Sequence, residues 1–368
     1  MKRWILIGLI AIVAGTALAM LAFRDEAKAP TGTESLPATE SSKPEIVVEG
    51  LEIPWEVAFA PDGRIFVTER PGRVRMVRDG KLDPEPMLRI ETSTGGEGGL
   101  QGMALDPGFT ANKFVYLYVS SGSGNDLINR VVRYRESNNR LVEPRVLLDN
   151  IPGNNNHNGG RLAFGPDKKL YITTGDSQEP SLAQDRTSLA GKILRVNADG
   201  SAPEDNPFGN LVWSYGHRNP QGLAWTTSGQ LFSTEHGPSG DLGLCCRDEL
   251  NRIDEGGNYG WPVVSGDQRR DEMISPVLQS GTSETWAPAG LAVGKDGKLY
   301  FAALRGTHLH SVTLNESVGD DSKLLEDQFG RLRAVVAGPD GKLYITTSNR
   351  DGRGQVRSGD DKLIRISL

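Results

Sequence analysis

One phrase recurs six times along this chain: a short apolar strand, a turn of the Pro-Asp-Gly type, and a second strand rich in β-branched and aromatic residues. The copies are Glu56–Gly63 with Ile65–Glu69, Gln101–Gly108 with Phe114–Val119, Arg161–Asp167 with Leu170–Thr174, Gln221–Gly229 with Leu231–Thr234, Ala289–Gly297 with Leu299–Ala303, and Arg333–Gly341 with Leu343–Thr347. Turn positions 62, 107, 167, 228, 296 and 340 are 45, 60, 61, 68 and 44 residues apart. Short antiparallel strands at that period, with no amphipathic helical stretch between them, predict an all-β chain: a six-bladed β-propeller with four-stranded antiparallel blades. A β-sandwich has no reason to repeat one hairpin six times. The C-terminal strand Lys362–Leu368 and the N-terminal Pro44–Val48 are placed to share one blade and close the ring.

The repeat begins only after two segments of different character. Lys2 and Arg3 precede an apolar run from Trp4 to about Phe23 that contains Ala17-Leu18-Ala19, a small-x-small cleavage signature. Residues 1–23 therefore read as a signal peptide, or, being long enough to span a bilayer, as an N-terminal membrane anchor. Either way the folded part is expected outside the cytoplasm, in the periplasm or secreted. Residues 24–44 are polar and rich in breakers, a flexible linker, and 45–368 form the propeller.

Composition removes several function classes. The net charge is −6 with no basic cluster beyond the first three residues, so the chain lacks the footprint of a nucleic-acid partner. Five His and two adjacent Cys exclude zinc fingers, iron–sulfur clusters and multi-disulfide frameworks. Cys245 and Cys246 are compatible with a vicinal disulfide or with two free thiols.

In a propeller the residues just before the first strand of each phrase and just after its second strand converge on one mouth of the central channel. Before the strands stand Glu97, the stretch Asn156 to Arg161 with His157, the stretch His217 to Pro220 with Arg218 and Asn219, Trp286 to Pro288, and Gly330 to Arg333. After them stand Glu69-Arg70, Gly175-Asp176, Glu235 to Pro238, Arg305-Gly306 and Asn349-Arg350. One His and four Arg (218, 305, 331 and 333) gather there without as many carboxylates, which suits a small polyanionic ligand, although interblade ion pairs would use Arg too. His308 and His310 alternate along a strand and so share a face, either solvated or metal-binding. The run Asp241 to Glu249 with Gly256 to Pro262 supplies oxygen donors of the kind Ca²⁺ accepts.

Four stretches carry a specific resemblance: His157–Asp167, Gly216–Ala224, Glu235–Pro238 and Gly256–Pro262. Together they resemble the soluble glucose/sorbosone dehydrogenase family over about residues 50–368, and the chain looks like its aldose sugar dehydrogenase branch. The resemblance implies a six-bladed propeller that carries pyrroloquinoline quinone (PQQ) and Ca²⁺, oxidises an aldose to its lactone and passes electrons to an external acceptor. By it His157 is the general base, neutral when active, so that activity should fall at low pH. Arg218 and Asn219 match contacts to the quinone oxygens, Arg331 and Arg333 contacts to cofactor carboxylates, Arg305 stands where a Lys is frequent, and Glu97 where a Gln is frequent at the cofactor. The Gly237 and Pro238 carbonyls match ligands of the Ca²⁺ beside PQQ, and Glu249 and Tyr259 a second, structural Ca²⁺ site. Two other readings stay open: a Ca²⁺-dependent lactonase, and a propeller that only binds carbohydrate or protein.

Overall fold

The computed structural model describes residues 43–239, 243–314 and 318–368. The signal or anchor segment and nearly all of the linker lie outside the described residues, as do residues 241 and 242 of the run Asp241 to Glu249.

Six antiparallel sheets follow one another along the chain. The first in sequence order holds β2 (Pro54–Phe59), β3 (Ile65–Glu69) and β4 (Arg73–Arg78), with the fourth position split between β5 (Lys81–Leu82) and β6 (Leu88–Arg89), both paired to β4. The next four are complete meanders: β7 (Leu100–Leu105) to β10 (Arg140–Pro152) through β8 (Phe114–Ser121) and β9 (Ile128–Ser137); β11 (Leu162–Phe164) to β14 (Val212–Tyr215) through β12 (Leu170–Thr174) and β13 (Lys192–Val196); β15 (Pro220–Trp225) to β18 (Leu278–Gln279) through β16 (Leu231–Glu235) and β17 (Glu249–Ile253); and β19 (Pro288–Val293) to β22 (Val318–Leu324) through β20 (Leu299–Ala303) and β21 (His308–Leu314). The last sheet runs β23 (Leu332–Ala337), β24 (Leu343–Thr347), β25 (Leu363–Ile366) and then β1 (Glu45–Val48) from the other end of the chain. Glu45 pairs Arg365 and Ile46 pairs Ile364, so the ring closes as the sequence predicts. The first strands of the six phrases, β2, β7, β11, β15, β19 and β23, pack side by side in a closed circle around the axis.

The turn chemistry explains why the phrase repeats. Asp62, Asp167, Asp296 and Asp340 each accept the backbone N–H two residues on, capping the hairpin turn locally. In three blades the Tyr four residues after that Asp donates its hydroxyl back to it: Tyr171 to Asp167, Tyr300 to Asp296 and Tyr344 to Asp340. The Tyr ring then meets an aromatic residue of the adjacent inner strand edge-on, Tyr171 against Trp225 at 5.0 Å and Tyr344 against Phe59 at 4.8 Å. One tyrosine thus ties its own turn to the next blade.

The core is divided among the gaps between blades. Phe66, Leu100 and Leu117 fill one, Ile172, Leu194 and Tyr118 the next, and equivalent apolar sets fill the other four. Each sheet is therefore buried on both faces, and only the outermost strands present edges. Removing residues 1–48 would strip β1 from β25 and expose such an edge along with Leu363. We expect such a truncation to lower the melting temperature by on the order of 5 °C, read by calorimetry, without abolishing folding.

Candidate active site

The loops before the inner strands and after their partners do meet, around a cavity of about 330 Å³ at one mouth of the channel. Its wall includes Glu97, Asn156, His157, Arg218, His236, Asp248, Arg305, Arg331, Arg333 and Arg353. Of the eleven residues named from sequence, six stand on this wall: Glu97, His157, Arg218, Arg305, Arg331 and Arg333.

His157 sits in the loop before β11 with a left-handed backbone (φ +59°), a conformation that costs a non-glycine residue energy and is kept where the surroundings impose it. The loop is clamped from behind: a side chain at Gly175 would meet the His157 carbonyl oxygen at 2.0 Å. The ring Nδ1 lies 2.7 Å from Asp176 Oδ1, and the residue is 8 % exposed. Asp176 itself is wholly buried and accepts two further bonds, from the Trp261 indole N–H at 2.7 Å and the Gln178 backbone N–H at 2.8 Å. Asp176 Oδ1 also accepts the Gln178 N–H, and an N–H on Nδ1 donating to that oxygen is the tautomer that leaves Nε2 with its lone pair. The imidazole is arranged as a base with one free nitrogen.

Glu97 links three loops. Its Oε2 accepts the His157 backbone N–H and the Asn219 amide, both at 3.0 Å, and its Oε1 accepts from Arg353 at 3.4 Å. Burial opposes its charge, but His236, His157, Arg353 and Arg333 outweigh that and hold its carboxyl down to about 2. A carboxyl depressed in the folded state stabilises the protein above its unfolded value of about 4.3 and loses that contribution as the pH falls toward 2. In Glu97→Gln we expect the acid limb of the stability profile, from urea midpoints between pH 5 and 2, to flatten by on the order of 3 kcal/mol.

Asn219 is buried behind this wall. Its amide donates to Glu97, and its carbonyl accepts the Gly159 N–H at 3.0 Å, so it holds Glu97 and the His157 loop in register. Arg218 donates to the His236 carbonyl at 3.1 Å, lies 5.6 Å over the Trp261 ring, and its backbone N–H is fixed by Glu235, which also takes His217 Nδ1 at 2.9 Å. Arg331 pairs with Asp351 at 2.8 Å. The Arg305 side chain is exposed and makes no hydrogen bond or ion pair among the described residues. Arg333 is 3 % exposed and reaches Gln221 Oε1 at 2.6 Å, yet its Nε meets no acceptor. Burial, with Arg70 and Arg331 nearby, pushes its guanidinium down to about 9. His236, also on the wall, has a buried Nε2 without a partner and is pushed by burial to about 4. The cavity thus presents a guanidinium donor and an imidazole nitrogen that the protein does not satisfy.

Gly237, Pro238, Glu249 and Tyr259 come together beneath Arg218 and His236, with Glu235 and Trp261, around a crevice of about 10 Å³. The Pro238 carbonyl accepts the Cys246 N–H at 2.8 Å. Asp248 accepts the Gly237, Trp286 and Ala287 N–H groups at 2.6–2.9 Å, tying this turn to the approach of β19. Burial and the neighbouring Glu235 push the Glu249 carboxyl up to about 8. Two neighbouring buried carboxyl groups with backbone carbonyl oxygens beside them match the donor chemistry of a hard divalent ion. Cys245 and Cys246 are joined by a disulfide in the adjoining loop.

The sequence alone assigns no function to Asp176, His236 or Arg353, whereas Asp248 belongs to the run of oxygen donors Asp241 to Glu249. Asp176 and His236 stood among the residues after the second strands, and that position was the available signal. Arg353 lies in the long loop before β25, outside the repeated phrase, and carried none.

The chain matches the family model described as glucose/sorbosone dehydrogenase over residues 51–364. The PQQ-bound aldose sugar dehydrogenase of Streptomyces coelicolor superposes with a TM-score of 0.80 at 40 % identity, over 88 % of this chain and 96 % of that one. Aldose sugar dehydrogenase YliI of Escherichia coli is 30 % identical over 84 % of this chain and 90 % of its own. Quinoprotein glucose dehydrogenase B of Acinetobacter calcoaceticus is 33 % identical over 71 % of this chain, a match that spans 61 % of that relative.

Proposed function

Because the chain belongs to the glucose/sorbosone dehydrogenase family, a family of oxidoreductases, we propose that it oxidises aldose sugars to lactones with PQQ and Ca²⁺ outside the cytoplasm, and delivers the electrons to an external acceptor. The observation that carries the reading is the pairing, on one cavity wall, of an imidazole oriented by a buried carboxyl group with a ring of guanidinium groups, one of which has a buried N–H still unmet.

PQQ is a tricarboxylate, and the unmet Arg333 N–H with the free Arg305 side chain suits such an anion. Arg331, Arg333 and Arg305 would hold its carboxylates, and Arg218 would lie toward its quinone oxygens. The Gly237 and Pro238 carbonyls would ligate one Ca²⁺, and Glu249 with Tyr259 a second. When bound, PQQ supplies the hydride acceptor that no protein side chain can provide. His157 Nε2 takes the proton of the anomeric hydroxyl, and Asp176 stabilises the imidazolium that forms. Arg218 offers a fixed cation where negative charge develops, so that little reorganisation is needed. A lactonase would need free carboxylates on the axis, whereas Glu97 and Asp248 are both spent on protein donors.

The test is to add PQQ and Ca²⁺ to the purified chain and follow the quinone spectrum and dye reduction with several aldoses. Bleaching of the oxidised quinone by at least one aldose is expected. Absence of dye reduction with every aldose, despite bound PQQ, would overturn the reading.

A further inference from the structure

His308 and His310 alternate along β21, as the sequence shows, but the face they share is closed: they are 2 % and 0 % exposed. Their four ring nitrogens form a chain. His308 Nδ1 lies 2.8 Å from the Gly306 carbonyl oxygen, His308 Nε2 lies 3.1 Å from His310 Nδ1, and His310 Nε2 lies 2.7 Å from Asp321 Oδ2. Both ends of the chain are acceptors, a carbonyl and a carboxylate. Three links need three protons, and two neutral imidazoles carry only two. Without one more proton, a link somewhere in the chain is two lone pairs face to face. No ring nitrogen is left for a metal.

The Gly306 end of this chain belongs to the turn 304–307 between β20 and β21. That turn places Leu304 and Arg305 on the cavity wall, and its Leu304 carbonyl accepts from Arg331 Nη1 at 3.2 Å. The Arg305 and Gly306 N–H groups both donate to the Trp286 carbonyl at 3.0 Å. A Cβ at Gly306 would meet His308 Cε1 at 2.5 Å, so the imidazole lies flush on the turn. On its other side the pair is fixed by Phe301, stacked on His310 at 4.5 Å and 8°.

We propose that His308, His310 and Asp321 are positioning residues of the site: a proton held along their chain locks the turn 304–307, and with it Arg305 and Arg331, against the cavity. The effect on ligand binding rests on the functional reading above, in which those two arginines hold cofactor carboxylates. The groups that face the chain are Asp321 and Lys323 on β22, Glu326 in the turn after it, and Glu284 before β19, while β20 presents only Phe301 and Ala303. Burial pushes both imidazoles below their ordinary value; Asp321 opposes this at His310, and the Gly306 carbonyl, Glu284 and Glu326 oppose it at His308, while Lys323 reinforces it at both. The extra proton therefore leaves on the acid side of an ordinary imidazole, and its route to solvent is Asp321, 45 % exposed at its side chain. The locked turn is the low-pH form, and the turn loosens as the pH rises.

Asp321→Asn tests the proton count directly. The asparagine amide can donate to His310 Nε2, after which two neutral imidazoles complete all three links at every pH. In the wild-type protein without cofactor, ¹⁵N spectra of the imidazoles should show three N–H on this pair below the transition and two above it. Hydrogen exchange at the Arg305 and Gly306 amides should accelerate about fivefold beyond the intrinsic rise with pH, the effect of roughly one hydrogen bond. The equilibrium dissociation constant for PQQ should rise by a similar factor over the same interval. In Asp321→Asn the count should stay at two, and both the exchange step and the affinity step should vanish. Two N–H at every pH in the wild type, or an exchange step retained in Asp321→Asn, would overturn the proposal. Failure of PQQ to bind at any pH would instead overturn the functional reading, and the exchange measurement would still decide the chain.

Discussion

His157→Ala is expected to lower kcat about a thousandfold while PQQ affinity changes by no more than a few fold, because the ring acts on the sugar hydroxyl and the arginines hold the cofactor. The magnitude is that of a lost general base. Asp176→Asn is the sharper variant, since it leaves the ring in place. Its amide presents an N–H toward Nδ1, which favours the tautomer with the proton on Nε2, the wrong one for a base. A loss of 100-fold or more in kcat with unchanged KM would fit an orienting role. Wild-type turnover in both variants, measured by dye reduction with a saturating aldose, would remove His157 from the chemistry.

Arg333→Met is expected to have two effects of opposite sign. The free protein carries this guanidinium almost fully buried, with one bond to Gln221 and an unmet Nε, at a desolvation cost that shows in its depressed proton affinity. A methionine of similar reach removes that cost, so the protein without cofactor should melt at the same temperature or a few degrees higher. PQQ affinity should fall roughly a hundredfold, within the range for a buried charge that loses its anionic partner. The stabilisation that PQQ confers on the wild type, a rise in melting temperature with cofactor concentration, should shrink accordingly. A variant that melts lower yet binds PQQ as well as the wild type would show Arg333 to be structural.

Both predictions depend on contacts that differ in how legible they are. His157, Arg218, Arg305, Arg331 and Arg333 could be placed on one mouth from the repeat alone, since strand ends of equivalent phrases must emerge on the same side of the ring. What each side chain does there could not. Asn219 follows Arg218 directly, yet it turns away from the cavity to join Glu97 and Gly159, while its neighbour faces inward. Trp261 reaches Asp176 from 85 residues away, and Arg353 reaches Glu97 from 256 away. His308 and His310 carry the alternation of a half-exposed strand, and only the packing of Trp286, Phe301 and Asp321 around them shows that neither side of that face is wet.

The amino-acid sequence by itself determined the blade, its number and the side of the ring on which function gathers. These rest on local physics: a turn Asp capping its own backbone, a Tyr four residues on, and alternating apolar positions that pair within one hairpin. The tertiary structure alone decided which donors are satisfied and which are left for a ligand, from the Nδ1 proton of His157 to the unmet Nε of Arg333 and the odd proton between His308 and Asp321. Those outcomes depend on side chains that folding brings together, within one blade for His157 with Asp176 and for His308 and His310 with Asp321, and across blades for Arg333 with Gln221. Hydrogen-bond geometry is settled within tenths of an ångström, a distance that no spacing along the chain encodes.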